Sequence, residues 1–245
     1  MPPELWQVEP ADEAAIDAYH AVRTAVHAAD TPEMPLPTRD QTIGEIRYPA
    51  PTIDTRHFVV RHAGAPAAIV ACELPGADNT HAMIVDFAVH PGMRRHGIGR
   101  GVFAAVVDLA REHRRAVLIG AYCQPLPVGP PRDEGPAAFA AAVGAKPALT
   151  DIRRRLDLST VDQDRWTAAY REATEHAAGY PILWWAGDIP EDLADDVAYL
   201  ESRLVSDSPI GDLRYEPENY DADRIRRADE VMRVRGDRCY HAGAP

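Results

Sequence analysis

A chain of 245 residues, 46% hydrophobic and 26% charged, has the composition of a globular protein and the length of one large domain or two modest ones. Its formal net charge of −12 argues against a nucleic-acid-binding body, whose phosphate contacts need a basic face, and suits a cationic or amine-bearing partner. No apolar run approaches the ~20 residues that span a bilayer, and no basic stretch followed by an apolar one opens the chain, so a soluble cytoplasmic protein without membrane contact is expected.

In chain order, Leu5 to Val8 reads as a short strand. From Asp12 to Ala28 the apolar residues Ala15, Ile16, Tyr19, Val22 and Val26 recur with helical spacing. Asp30-Thr31-Pro32 breaks that helix, and a shorter one is expected from Thr38 to Arg47. His57 to Arg61 and Ala67 to Glu73 form a hairpin around Ala63-Gly64-Ala65-Pro66. Met83 to Val89 is a further strand, closed by His90-Pro91-Gly92. A helix then runs to about Arg114, with Val102, Phe103, Val106, Val107 and Leu109-Ala110 on its apolar face. Val117 to Tyr122 is a strand, Cys123 to Pro136 a loop with five prolines, Ala137 to Val143 a helix closed by Gly144, and Ile152 to Leu158 a last strand.

Cys72, Cys123 and Cys239 lie singly, and the ten histidines form no pair at ligand spacing, which predicts neither a disulfide framework nor a metal site.

Val85 to Arg100 is the most informative segment. A strand ends at Val89, and a basic, glycine-containing turn opens directly into a helix. The first N–H groups of a helix have no intrahelical partners, and with the positive end of its dipole they make a site for phosphate. Gly97 and Gly99 let a pyrophosphate approach the backbone, and Arg94, Arg95 and Arg100 add charge. A Walker loop would need Gly-Lys-Ser/Thr, which the chain lacks. A Rossmann turn would need its third glycine one residue beyond Gly101, and an acidic residue ending the next strand.

What Arg94-Arg95-His96-Gly97-Ile98-Gly99 does fit, after Val89-His90-Pro91, is R/Q-x-x-G-x-G/A between an apolar strand and an amphipathic helix. The segment resembles the GNAT superfamily of acyl-CoA-dependent N-acyltransferases, and the element order over residues 5–158 resembles it too. The resemblance implies a mixed, mostly antiparallel central sheet flanked by helices, with acetyl-CoA as co-substrate. It places the cofactor along Phe87, Ala88 and Val89 and on Arg94, Arg95, His96, Gly97, Ile98, Gly99 and Arg100. It also implies that the strand ending at Val89 splays from the one at Val117 to Tyr122, with a backbone N–H near Val89 polarising the thioester. The activity implied is transfer of an acetyl group to a primary amine by direct attack. A catalytically inactive acyl-CoA-binding or protein-interaction module is the alternative.

The resemblance weakens at the catalytic groups. Family members often carry a tyrosine just after a Phe-like position in the helix that Ala137 to Val143 represents, and here Phe139 is followed by Ala140. Tyr122 is the substitute acid, and Asp86 the candidate base, with His90 a further option. Asp30, Glu33, Asp40, Asp133 and Glu134 are candidates to receive a cationic small-molecule or peptide amine.

The chain also repeats itself. Leu5-Trp6 returns as Leu183-Trp184, and Asp30-Thr31-Pro32 as Asp207-Ser208-Pro209, at offsets of 178 and 177 residues. Helices expected at Glu191 to Val205 and Asp221 to Arg235 match the first pair, and Cys239-Tyr240-His241 matches the start of the His57 strand. The expected organisation is a GNAT domain at 1–158, a linker at 159–179 containing a helix near Arg165 to Ala177, and a partial second GNAT-like domain at 180–245. At that offset the second pyrophosphate loop falls beyond Pro245. The second copy is therefore expected to lack a cofactor site and either to pack on the first or to reflect truncation. A homodimer through it is also admitted.

Overall fold

The computed structural model describes residues 4–244. Met1 to Pro3 and Pro245, the outer limits of the two expected units, lie outside the described residues. A five-stranded sheet is ordered β1 (Leu5–Gln7), β2 (Ile53–His62), β3 (Ala65–Pro75), β4 (Ala82–Val89) and β5 (Val117–Ile119). The first four strands are antiparallel, and β5 joins β4 in parallel. This is the mixed, mostly antiparallel sheet that the element order implies.

Strand alternation sorts the core into two layers. Phe58, Val60, Val70, Cys72, Leu74, Met83 and Val85 face one side. There they pack under α3 (Ile98–Glu112), which contributes Ile98, Val102, Val106 and Ala110. Val59 and Ile69 face the other side with Ile16, Tyr19 and Val22 of α1 (Glu13–Asp30) and Ile46 of α2 (Arg39–Arg47). Both helices are locally encoded. Asp12 caps α1 by accepting from the Ala15 N–H, and Thr38 with Gln41 forms a reciprocal capping box on α2. Arg23 bridges the pair with a two-pronged bond to Glu45 at 2.7 and 3.1 Å.

Two expected strands differ. The strand from Val117 ends at Ile119 rather than Tyr122, because its pairing with β4 stops at Ile84 and proline-rich coil follows. Ile152 to Leu158 forms no strand. Ile152, Leu156 and Leu158 are 44%, 63% and 78% exposed, and the short β5 offers no edge beside them. Arg155 between them is turned instead to the Glu33 carbonyl at 2.8 Å. The helix after the proline loop does form, as α4 (Gly135–Ala142), with Gly144 in the left-handed region beyond it.

After α5 (Gln163–His176), the order strand–helix–helix–strand returns as β6 (Leu183–Ala186), α6 (Ala194–Asp207), α7 (Ala222–Arg235) and β7 (Tyr240–Gly243). β6 pairs antiparallel with β7 as β1 does with β2, so the second unit repeats the opening of the first. It packs on the first through Arg224, whose guanidinium meets Asp78 at 2.7 Å and Glu218 at 3.1 Å. Asn79 is bonded to the Glu216 backbone at both amide atoms, and Arg235 reaches the Tyr48 carbonyl at 2.8 Å.

Candidate active site

The end of β4 is where the sheet opens. The His90 N–H donates to the Ala67 carbonyl at 2.8 Å, which marks His90 and Ala67 as a hydrogen-bonded antiparallel pair. Such pairs alternate along a ladder, so Ala88–Ile69 and Asp86–Ala71 are bonded as well. Val85, Phe87 and Val89 then turn their N–H and C=O groups away from β3, toward β5. Gly120 agrees with this assignment, since a Cβ there would stand 3.2 Å from the Val85 carbonyl oxygen. β5 pairs with Ala82 to Ile84 alone. Beyond it, the outward groups of Phe87 and Val89 face a gap in which no strand of the described residues lies opposite.

The turn after Val89 adjoins this gap. A single 3-10 turn, Pro91–Met93, is held by the His90 Nδ1, which accepts from the Gly92 N–H at 3.2 Å. Arg95 and Gly97 then take φ of +68° and +80°, the kind of alternation that curls successive N–H groups into a concave anion site. Gly97 occupies the cap of α3, no side chain caps it, and nothing lies within 4 Å of the place its Cβ would fill. The first-turn N–H groups of α3, from Ile98, Gly99 and Arg100, therefore lack intrahelical partners. The Ile98 side chain is buried in the core, so that residue offers its backbone alone, whereas Arg95, His96 and Arg100 are exposed. Gly99 permits close packing, with its missing Cβ 3.5 Å from Phe139 and 3.6 Å from Val89. Phe139 in turn meets Phe87 and Phe103 edge-on at 5.6 and 6.2 Å, which seats α4 beside the gap.

Arg94 is placed differently from its neighbours in the motif. Its Nε–H donates to the Val89 carbonyl at 3.1 Å, and its two Nη groups fork onto the Asp30 carboxylate at 2.7 Å each. Glu33 is likewise paired with Arg132, which holds its carboxyl below the usual range. Of the acidic residues expected to receive an amine, two are thus already neutralised. Asp133 accepts from the Gly135 N–H at 2.8 Å and lies 4.0 Å from Arg94.

Asp86 is exposed, on the sheet face toward α1, in line with Ala71 and His57 across three strands. Tyr19 of α1 stands edge-on over His57 at 5.3 Å. Tyr122 lies in the coil beyond β5, 42% exposed, and Ala140 presents no hydroxyl on α4. Sequence inspection passed over Glu73. It pairs with Ile84 in the β3–β4 ladder, diagonal to Asp86 on the same face, and is half-buried. Burial and, secondarily, the Asp86 charge raise its pKa. The available signal was a carboxylate at an α1-facing position of an otherwise apolar strand.

Comparison with known proteins bears on this geometry. Residues 23–125 match the model of the acetyltransferase (GNAT) family. A tandem GNAT protein from the clavulanic acid biosynthesis pathway, solved without acetyl-CoA, is similar at 29% identity with a TM-score of 0.73. The match covers 99% of this chain and 69% of that one. A ribosomal-protein-alanine N-acetyltransferase from Brucella melitensis biovar Abortus 2308 is 17% identical, with a TM-score of 0.46 over 63% of this chain and 99% of its own. AAC(6')-Iy, in complex with a bisubstrate analogue, is 14% identical, with a TM-score of 0.45 over 63% and 98%. No curated protein matches at a significant level. Residues 23–125 thus match the acetyltransferase (GNAT) family, and the fold of the whole chain is similar to that of a tandem GNAT protein.

Proposed function

We propose that the N-terminal unit, within residues 1–158, transfers an acetyl group from acetyl-CoA to a primary amine by direct attack, without a covalent enzyme intermediate. The observation that carries this reading is the gap beside Phe87 and Val89, whose outward backbone groups adjoin the uncapped start of α3. The N–H groups of Ile98, Gly99 and Arg100, with Arg95, His96 and Arg100 around them, suit a pyrophosphate. Phe87, Ala88 and Val89 suit a pantetheine arm laid along β4 as a surrogate strand. The Val89 N–H points where it stabilises the oxyanion that forms when the amine attacks the thioester carbon.

The amine must be neutral to attack, and Asp86, on the α1 side of the sheet, accepts its proton directly or through one water. The C–S bond then breaks and coenzyme A leaves as the thiolate, with Tyr122 the assigned proton donor. With Asp30 and Glu33 held by arginines, Asp40, Asp133 and Glu134 remain to attract a cationic small-molecule or peptide amine. Ala140, at the place of the family's usual tyrosine, favours the second reading, an inactive acyl-CoA-binding module. A cytoplasmic protein that binds neither nucleic acid nor membrane suits either reading, as does a homodimer. No helix of the described residues is long and apolar enough to cross a membrane.

Thermal unfolding with acetyl-CoA tests the reading. At ~100 times its dissociation constant the ligand adds about 2.7 kcal/mol of stability, and Gly97→Asp, which puts a carboxylate at the cradle, abolishes the shift. A screen of amines by free-thiol release follows. Asp86→Asn is expected to lower kcat by about 100-fold while leaving the acetyl-CoA affinity unchanged. Binding without turnover of any amine moves the inactive acyl-CoA-binding module into first place, and no stabilisation by acetyl-CoA leaves the protein-interaction module.

A further inference from the structure

We infer that Asp30 is a positioning residue for acyl transfer: through Arg94 it occupies the Val89 carbonyl and so leaves the Val89 N–H as the group that meets the acyl oxygen. The inference rests on the proposed acyl-transfer reading and deepens it. Val89 turns two groups of opposite polarity toward the gap. A thioester oxygen, and more so the oxyanion formed from it, is attracted by the N–H and repelled by the C=O. Arg94 Nε–H engages that carbonyl at 3.1 Å, so its lone pair is directed into a cation rather than into the gap. The remaining edge of the guanidinium is fixed by the fork to both Asp30 oxygens at 2.7 Å. Such a two-point bond sets the plane of the guanidinium as well as its distance, which a lysine could not do.

Asp30 is also the last residue of α1, where the helix dipole favours a nearby cation. The pair therefore ties together the end of α1, the end of β4 and the motif turn. Residues 31–38, which begin at this tie, form the loop on the expected acceptor side, and Glu33 within it is tied to Arg132 of the proline-rich loop. Each of the three side-chain nitrogens of Arg94 donates to a partner inside the protein. The pyrophosphate is left to the backbone of the turn and to the exposed Arg95 and Arg100.

This separates two roles that sequence alone assigns to one residue, and the acyl carbonyl itself can report the difference. The carbonyl band of [1-13C]acetyl-CoA is measured by difference infrared spectroscopy, bound to the native protein and to Asp30→Asn, Arg94→Gln, Arg94→Lys and the Asp30→Asn/Arg94→Gln double variant. Coenzyme A affinity is measured in parallel by calorimetry. The expected result is a band lowered in frequency on the native protein and returned toward its solution position in each variant. Coenzyme A affinity should stay within about threefold, less than loss of a charge-assisted phosphate contact would bring. The double variant should be no worse than the worse single one, because both remove the same contact. Retained affinity also shows that each variant is folded. A band unchanged by Asp30→Asn, or an affinity lost with Arg94→Gln and kept with Asp30→Asn, overturns the inference and returns Arg94 to the phosphate site. If the native protein binds no coenzyme A, the acyl-transfer reading fails and the inference goes with it. If it binds coenzyme A and the bands do not change, only the inference fails.

Discussion

His57 is 7% exposed, packed under Tyr19, and burial depresses its pKa from the ordinary 6.5 to about 4. It folds neutral. Between pH 6.5 and 4 the unfolded chain holds a proton at this position that the folded chain does not, so stability falls as the pH falls through that window. A gap of this size is worth about 3 kcal/mol when fully developed. Chemical denaturation at pH 7 and pH 4.5 should show the loss, and His57→Phe should remove this component of it. Glu13, Glu33 and Asp78, whose pKa values are lowered chiefly or partly by their arginine partners, also weaken the fold in acid, starting as the pH falls through the ordinary carboxylate values and continuing down through their lowered ones. The two contributions therefore overlap near pH 4.5, and His57→Phe is the variant that tells them apart. Gly97 shows a different constraint. At φ +80° any other residue is strained, and the open space around it means that the backbone rather than packing requires glycine there.

Among the elements, β5 and α4 decide whether a gap exists. β5 is three residues long and pairs with the first three of β4, and the chain then leaves the sheet through coil rich in proline. Proline cannot donate to a ladder, and residues before it avoid helix, so the segment can neither extend β5 nor cover the gap as a helix. α4 is seated by Phe139, between Phe87 on β4 and Phe103 on α3. Phe139→Ala should cost about 2–3 kcal/mol, below the range for a fully buried phenylalanine because Phe139 is partly exposed. Hydrogen exchange should then quicken across residues 120–142 and stay slow in β2 and β3. A uniform rise through the sheet would mean that α4 is part of the core and not a separately docked helix.

At the scale of the whole molecule, the Arg224 contact between the second unit and the first lies at the opposite end of β4 from the gap. The Asp78–Asn79 turn precedes β4, and Val89 ends it, so the two lie about 23 Å apart along the strand. Arg224 is the centre of the contact. Its side chain is 9% exposed, bonded to Asp78 and Glu218 and stacked 3.8 Å from the Tyr220 ring centroid. Removing one partner of a buried ion pair leaves the other charges unpaired, and Arg224→Ala should destabilise by about 3 kcal/mol. The same variant should leave acetyl-CoA affinity unchanged. A loss of affinity on titration would show that the Arg224 contact supports the cradle along the length of β4.

Local features of the chain were legible because their causes are local. Runs of apolar residues placed β2, β3 and β4, helical spacing placed α1 and α3, and the Asp-Ser/Thr-Pro breakers placed the end of α1 and exposed the repeat. The expectation for Ile152 to Leu158 went astray at the point where a strand stops being a local object. Its alternation is present, but a strand needs an edge, and β5 supplies none. The same divide runs through the site. Glycine spacing between a strand and a helix determined where an uncapped helix start would lie, since that follows from a few consecutive backbone angles. The partners of Arg94 and Arg132 stand 64 and 99 residues away, and Glu73 comes beside Asp86 only through the β3–β4 register. By itself the sequence determined the elements, the glycine turn and the half-repeat. Tertiary structure alone decided which charges are free, because pairing depends on distances across the fold that no local spacing encodes.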